Sequence, residues 1–164
     1  MNSPTPRTLK RLVSSSVLYI VLALIATGFA VIENRTTEFG GSTSGLSALQ
    51  SFLYGQGTAM SPPLYWLVAQ VGLTAMALRR NRWGSVGVIG LAVFGLFFLI
   101  GAIGEPILLE SFNPATFDML NAVILAGLVI VPFIMMVFAI LEWSRRRTQS
   151  LRHGQPPSQS IDSA

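Results

Sequence analysis

Four long stretches of this sequence contain no Asp, Glu, Lys or Arg, and they constrain the fold more than any other feature. The stretches are residues 12–32, 61–78, 83–104 and 119–141. As helices they would measure roughly 27 to 34 Å, close to the thickness of the hydrocarbon core of a bilayer. We therefore predict an all-α integral membrane protein, with four transmembrane helices in an antiparallel bundle.

The first stretch has a second interpretation, as a cleaved signal peptide. Arg7, Lys10 and Arg11 precede it, and Gly28 and Ala30 are small residues of the kind that a signal peptidase requires. The apolar core of a signal peptide has only about 7 to 15 residues, however, and this stretch is longer. We therefore predict that it is retained as a membrane helix.

The basic residues predict the orientation of the bundle, because Lys and Arg near span ends are retained on the cytoplasmic side. They form two clusters beside the apolar stretches: Arg79, Arg80 and Arg82 in a turn, and Arg145, Arg146 and Arg147 after the last stretch. If this turn and both termini are cytoplasmic, ten of the eleven basic residues lie inside and only Arg35 lies outside. We predict this N-in, C-in topology.

The positive charge also bears on partners and location. A formal net charge of +4 would suggest nucleic acid if it formed a face of a soluble fold, but here the charges adjoin apolar stretches. We therefore expect contacts with anionic lipid headgroups on the cytoplasmic side and no nucleic-acid partner. Arg predominates over Lys, as is typical of GC-rich bacterial genomes, so we predict a multi-pass protein of a bacterial cytoplasmic membrane.

The remaining segments are predicted as tails and loops. Residues 1–11 should form a cytoplasmic tail, residues 12–142 the membrane domain, and residues 143–164 a basic and then disordered tail rich in Ser, Gln and Pro. In the first outer loop, Leu46, Leu49, Phe52 and Leu53 recur at helix-face spacing. This pattern predicts a short amphipathic helix from Ser44 to Tyr54, with Ser44 as its cap.

Small residues predict where the helices touch, because close packing holds membrane helices together. Each apolar stretch has such a row: Ala26 and Ala30; Ala69, Gly72 and Ala75; Gly84, Gly87 and Gly90; Ala122 and Ala126. We expect these rows to form the seams of the bundle.

Four polar residues are candidates for a site. Gln70 and Asn121 lie within apolar stretches, and Glu33 and Glu105 end the first and third ones. Polar groups in a bilayer are costly and often functional, and all four fall in the predicted outer half, where they could line a pocket. Glu105 would then bind a cation or transfer a proton. The alternative is that the amides hydrogen-bond between helices and the glutamates are solvated.

Two function classes remain open. The chain has no cysteine and shows no metal-ligand cluster, nucleophile constellation or phosphate-binding loop, so we expect no cofactor and no metal site and favour a non-enzymatic role. The first class is a structural or accessory subunit that acts by helix packing, as a homo-oligomer or within a larger membrane complex. The second is a binder of a lipid or small hydrophobic ligand, or an enzyme acting on one, at the outer pocket.

Overall fold

The part of the chain that the structure describes is mainly helical. A computed structural model describes residues 6–36, 45–104 and 119–153, and side chains as far as residue 149. Within these residues the chain forms five helices and no strands: α1 (Arg7–Ile32), α2 (Ala48–Tyr54), α3 (Leu64–Ala77), α4 (Arg82–Gly104) and α5 (Met119–His153).

Three of these helices, α1, α4 and α5, are long and apolar enough to cross a membrane. Large apolar side chains are exposed along each of them; Leu24, Phe97 and Ile130 are between 46% and 54% exposed. A water-soluble helix would bury such a face against a core, whereas lipid tails solvate it. The prediction of an all-α membrane protein is thus supported by both the length and the surface of the helices.

The third apolar helix is shorter than the predicted stretch of residues 61–78. α3 has 14 residues, because the chain is extended at Pro63 and forms a turn from Thr58 to Ser61 instead of a first helical turn. The helix measures roughly 21 Å. The expectation that Ser61 begins this helix is therefore wrong, and the two prolines limit it instead.

The helix ends elsewhere depart from the predicted limits in the opposite direction. α1 begins at Arg7, before the apolar stretch, and α5 continues through the final arginines to His153. Asn81 sets the start of α4, because its side-chain oxygen accepts hydrogen bonds from the backbone amides of Trp83 (3.1 Å) and Gly84 (3.3 Å). Apolar composition thus located these helices without fixing their polar ends.

A short helix in this loop is confirmed, but its start and its buried face differ from the prediction. Leu49 and Leu53 of the predicted apolar face are exposed, and the buried residues are Ala48, Ser51 and Phe52. α2 begins at Ala48, and Ser47 is its cap in a reciprocal arrangement with Gln50. The Ser47 hydroxyl accepts from the backbone amide of Gln50, and the side-chain oxygen of Gln50 accepts from the backbone amide of Ser47. Ser44 lies outside the described residues.

The helices pack in antiparallel pairs, with α5 between α1 and α4, and α4 between α5 and α3. The α3–α4 seam is formed by glycine, as the sequence predicted: a Cβ on Gly87 would lie 2.7 Å from the Leu73 carbonyl oxygen. Similarly, a Cβ on Gly95 would lie 2.8 Å from the carbonyl oxygen of Pro132. In contrast, α1 and α3 touch at few points.

The row Ala69, Gly72 and Ala75 on α3 is not a seam of the bundle. All three residues are exposed, and a Cβ on Gly72 would meet no atom within 4 Å. The buried face of α3 is instead formed by Leu67, Gln70, Thr74 and Ala77. Gln70 and Thr74 find hydrogen-bond partners inside, and this requirement turns the small residues outward.

Replacing Gly87 with Ala should destabilise the protein by about 1 to 3 kcal/mol, because the new methyl group would push the backbones of α3 and α4 apart. Gly72→Ala is the matched control on the same hairpin; it adds the methyl group to open space and should be neutral or stabilise by up to about 1 kcal/mol. Reversible unfolding in mixed micelles, followed by circular dichroism, measures both. Equal effects of the two substitutions would contradict this account of the seam.

Candidate functional site

The described residues form a partly open cavity at the end of the bundle where α1 ends and α3 begins. Its volume is about 390 Å³, and its wall combines side chains from α1, α3, α4 and α5 with the segment before α3. Small-molecule sites in proteins are typically concave, apolar and about 300 to 1,000 Å³ in volume. We call it the distal cavity, because the arginine turn lies at the opposite end.

Aromatic rings form most of the deep wall of the distal cavity. Tyr19 and Phe98 stack with their ring centroids 4.6 Å apart, and Trp66 lies 5.7 Å from Phe97 and 6.3 Å from Phe98. Tyr19 and Phe98 are 3% and 5% exposed. Rigid rings supply a large apolar contact area, so the cavity suits an apolar body more than a charged one.

The turn from Thr58 to Ser61 covers one side of the cavity. The Thr58 amide donates to the Ser61 carbonyl (2.8 Å), and the Ala59 amide donates to the Arg35 carbonyl (3.4 Å). These bonds fasten the turn to the end of α1 and satisfy backbone groups that lie within the protein. The turn and Trp66 both line the cavity.

Gln70, a predicted site residue, lies in the middle of the bundle. It is fully buried, and its amide nitrogen donates to the Ser16 hydroxyl (3.0 Å) and carbonyl (3.3 Å). The Ser16 hydroxyl hydrogen-bonds to the Thr74 hydroxyl (2.8 Å), and the Thr74 hydroxyl donates to the backbone carbonyl of Gln70. This polar cluster links α1 to α3 at one of their few contacts.

The Gln70 cluster lies just below the distal cavity. Tyr19 is about one helical turn from Ser16, and Trp66 is about one turn from Gln70. Gln70 itself does not line the cavity, and its side-chain oxygen Oε1 is buried without a hydrogen-bond partner among the described residues.

The other predicted site residues are not brought to Gln70. Asn121 is buried in α5, but it lies roughly 21 Å along the helix from Met135, whose sulfur accepts from Gln70. Glu33 caps the end of α1, where it is exposed and paired with Arg35. Neither residue lines the distal cavity. Glu105 lies outside the described residues, so its role in a pocket remains a prediction.

At the opposite end, Glu142 forms a buried charge network that the sequence analysis did not identify. It is fully buried and accepts from Arg145 (2.7 and 2.9 Å), Arg146 (2.8 Å) and the Thr8 hydroxyl. Arg146 also donates to the carbonyl of Ala77 (2.8 Å) at the end of α3. The network therefore connects α1, α3 and α5.

The protonation of Glu142 follows from these contacts, since the residue comes directly after the apolar run. Burial raises the pKa of Glu142, but hydrogen bonds from Arg145, Thr8 and Arg146 outweigh burial and lower the pKa from 4.5 to about 2. Glu142 is thus ionised at neutral pH. Its spacing to Arg145 and Arg146, at i+3 and i+4, was the available sequence signal.

Arg145 and Arg146 were predicted to contact lipid headgroups together with Arg79, Arg80, Arg82 and Arg147. The structure shows that their guanidinium groups are engaged by Glu142. Within residues 6–36, 45–104 and 119–149, no group of three His, Cys, Asp or Glu side chains is placed to hold a metal ion. The candidate sites among the described residues are therefore an apolar cavity, an uncharged polar cluster around Gln70 and a basic end of the bundle.

Together, the long apolar helices and their exposed apolar surface define a membrane-embedded helical protein. Comparison of the chain with models of protein families, with curated proteins and with solved structures finds no match. Its function must therefore be argued from the cavity and the charges.

Replacing Glu142 with Gln should destabilise the protein by about 3 kcal/mol or more, because Arg145 and Arg146 would lose a buried counterion. Since the folded pKa is lowered, the stabilisation is complete above about pH 4.5 and is lost as the pH falls towards 2. Unfolding in micelles, measured between pH 7 and 3, should show the wild type converging on the Glu142→Gln variant. Glu33→Gln, at an exposed ion pair, should cost less than about 1 kcal/mol. A pH-independent gap between wild type and Glu142→Gln would contradict the argument.

Proposed function

We propose that this protein binds a lipid chain or another small hydrophobic ligand in the distal cavity. The observation that carries the proposal is an apolar cavity of about 390 Å³, lined by aromatic rings, in a protein that otherwise packs helix against helix through glycine. Without a ligand, the apolar lining of this cavity lacks part of the dispersion contacts that a packed interior has. A ligand would restore those contacts.

The proposed ligand has an apolar body and a polar end. The deep wall is formed by Tyr19, Phe98 and Leu128, which are at most 5% exposed, whereas the opposite side is the turn from Thr58 to Ser61. The Thr58 hydroxyl accepts from the Met60 backbone amide (3.4 Å), and the Ser61 hydroxyl donates to the Pro62 carbonyl (3.1 Å). The proton of the Thr58 hydroxyl and the oxygen of the Ser61 hydroxyl can therefore still hydrogen-bond to a ligand. A fatty acid or a lipid tail with a polar group near the turn fits this distribution.

We also propose a topology of four crossings with both termini inside. α3 alone, at roughly 21 Å, is shorter than the hydrocarbon core, so the turn before it would complete the crossing. Irregular backbone is tolerated at membrane depth where it is buried in protein or lines a cavity. The antiparallel α3–α4 hairpin and the basic turn between its helices support this arrangement, in which the distal cavity would lie in the outer half.

A photoreactive fatty acid tests the proposed binding. Diazirine-labelled palmitic acid, incorporated into nanodiscs, should crosslink to Tyr19 and Leu128, because a lipid that merely surrounds the protein cannot reach these buried residues. Gly101 lines the cavity, and a Cβ there would meet no atom within 4 Å. Gly101→Leu should therefore fill the cavity and reduce this labelling by about tenfold, as expected for the loss of a few apolar contacts.

Gly72→Leu is the matched control, since Gly72 also has open space but faces outward. It should leave labelling of the cavity residues unchanged. Exposed Leu24 on α1 should be labelled equally in all variants, because it lies on a different helix from Gly72 and Gly101. If Tyr19 and Leu128 are not labelled in the wild type, or if both Leu variants reduce labelling equally, the cavity is not the binding site.

A second candidate function, as a packing subunit, is favoured by the outward row of small residues on α3. Ala69, Gly72 and Ala75 are exposed, and such rows allow two membrane helices to approach closely. We propose that this face packs against a helix of a second copy of the chain.

Native mass spectrometry of protein released from nanodiscs tests the packing function. Wild-type protein should give dimers, and Gly72→Leu should shift them to monomers, because the side chain would hold the helices apart. Gly101→Leu is the control and should leave the dimers intact. A monomeric wild type, or a dimer that survives Gly72→Leu, would exclude self-association through this face.

A further inference from the structure

The end of the bundle opposite the distal cavity carries an excess of positive charge. Among the described residues, the acidic side chain at this end is Glu142, and the other acidic residue, Glu33, lies at the far end of α1. The basic residues at this end are Arg7, Lys10, Arg11, Arg79, Arg80, Arg82, Arg145, Arg146 and Arg147. One carboxylate therefore faces nine cationic side chains.

The internal contacts divide these nine residues by role. Arg145 and Arg146 are engaged by Glu142, and Arg146 also caps the carbonyl groups of Ala77 (2.8 Å) and Arg79 (3.4 Å). Arg146 thereby holds the end of α5 against the turn between α3 and α4. Arg146 thus supplies positive charge to the carbonyl groups that end α3.

Two arginine–tryptophan pairs flank this junction. The guanidinium carbon of Arg82 lies 5.8 Å from the Trp83 ring centroid, and that of Arg147 lies 5.7 Å from the Trp143 ring centroid. Gly84 packs against Arg79 and Arg146, so the start of α4 and the end of α5 lie at the same level. Both indole rings are partly exposed, at 47% and 39%, as is typical of the headgroup region.

We propose that Arg79, Arg80, Arg82 and Arg147, here called the basic rim, bind the phosphate of an anionic lipid headgroup. A guanidinium group presents paired donors that match two phosphate oxygens, and the neighbouring indole rings fit the boundary between headgroup and acyl chain. The Glu142 network fixes the position of the rim through Arg145 and Arg146, which are not part of it. The site is separate from the distal cavity and does not depend on a ligand there.

The alternative is a diffuse attraction between nine cations and an anionic surface, and the chain offers a control of equal charge. Arg79→Gln/Arg80→Gln/Arg82→Gln removes three charges from the rim, and Arg7→Gln/Lys10→Gln/Arg11→Gln removes three from α1 at the same end. Diffuse attraction predicts equal losses. A site at the rim predicts a loss only in the first variant.

The experiment is native mass spectrometry of protein released from nanodiscs of phosphatidylcholine with a minor fraction of phosphatidylglycerol. Wild-type protein should retain phosphatidylglycerol in preference to phosphatidylcholine. The rim variant should lose this preference by about tenfold or more, because it removes guanidinium donors that bind the phosphate, and the α1 variant should keep it, because it leaves those donors in place. Equal losses in both variants, or an unchanged rim variant, would overturn the proposal.

A lysine variant and a competition with inorganic phosphate complete the experiment. If the rim variant unfolds, Arg79→Lys/Arg80→Lys/Arg82→Lys replaces it, because lysine keeps the charge and the topology but cannot bind phosphate through two nitrogens. It should also show reduced retention, and wild-type retention would overturn the assignment to guanidinium groups.

Inorganic phosphate added during release separates the two sources of phosphate. Retention that persists supports a lipid headgroup, whereas displacement by phosphate at a concentration equal to that of the lipid would show that the site takes the free anion.

Discussion

The ion pair between Glu142 and Arg146 fixes the arrangement on which the rest of the structure depends. A buried carboxylate is stable only when its oxygens are fully engaged, and Glu142 reaches this state through Arg145, Arg146 and Thr8. Because Arg146 also holds the Ala77 carbonyl, the same interaction aligns the ends of α1, α3 and α5. Membrane helices gain little from apolar contact with each other, so such a polar fixing point sets their register.

The helices pack less closely around the distal cavity than at the end that Glu142 holds. Glycine brings α3 to α4 and α4 to α5, but α1 and α3 meet mainly where Gln70 bonds to Ser16. Above that cluster no small-residue seam joins them, and large aromatic rings from α1, α3 and α4 surround the remaining space. The cavity is thus a consequence of where close packing ends, and the turn before α3 covers it at the cost of one helical turn.

The two proposed sites depend on different interactions, so each proposal can be tested separately. The distal cavity offers dispersion and apolar burial to a ligand's body, with hydroxyl and carbonyl groups at one side. The basic rim offers charge at the opposite end, where Glu142 pairs with the two arginines that hold the helices. A lipid could satisfy both kinds of site in a bilayer, but as separate molecules in opposite halves of the proposed topology. Binding at one site therefore carries no evidence about the other.

The sequence by itself determined the helices and the turn between α3 and α4, because uncharged stretches need lipid around them and Arg79, Arg80 and Arg82 cannot enter it. It also contained the Ser47–Gln50 cap and the Glu142 spacing, which local rules can recognise. Only the tertiary structure decided which face of α3 is buried, since Gln70 needs Ser16 on a helix that is distant in the sequence. The distal cavity could likewise not be predicted from the sequence, because its wall comes from four helices and a turn. Its volume depends on how closely these elements approach one another.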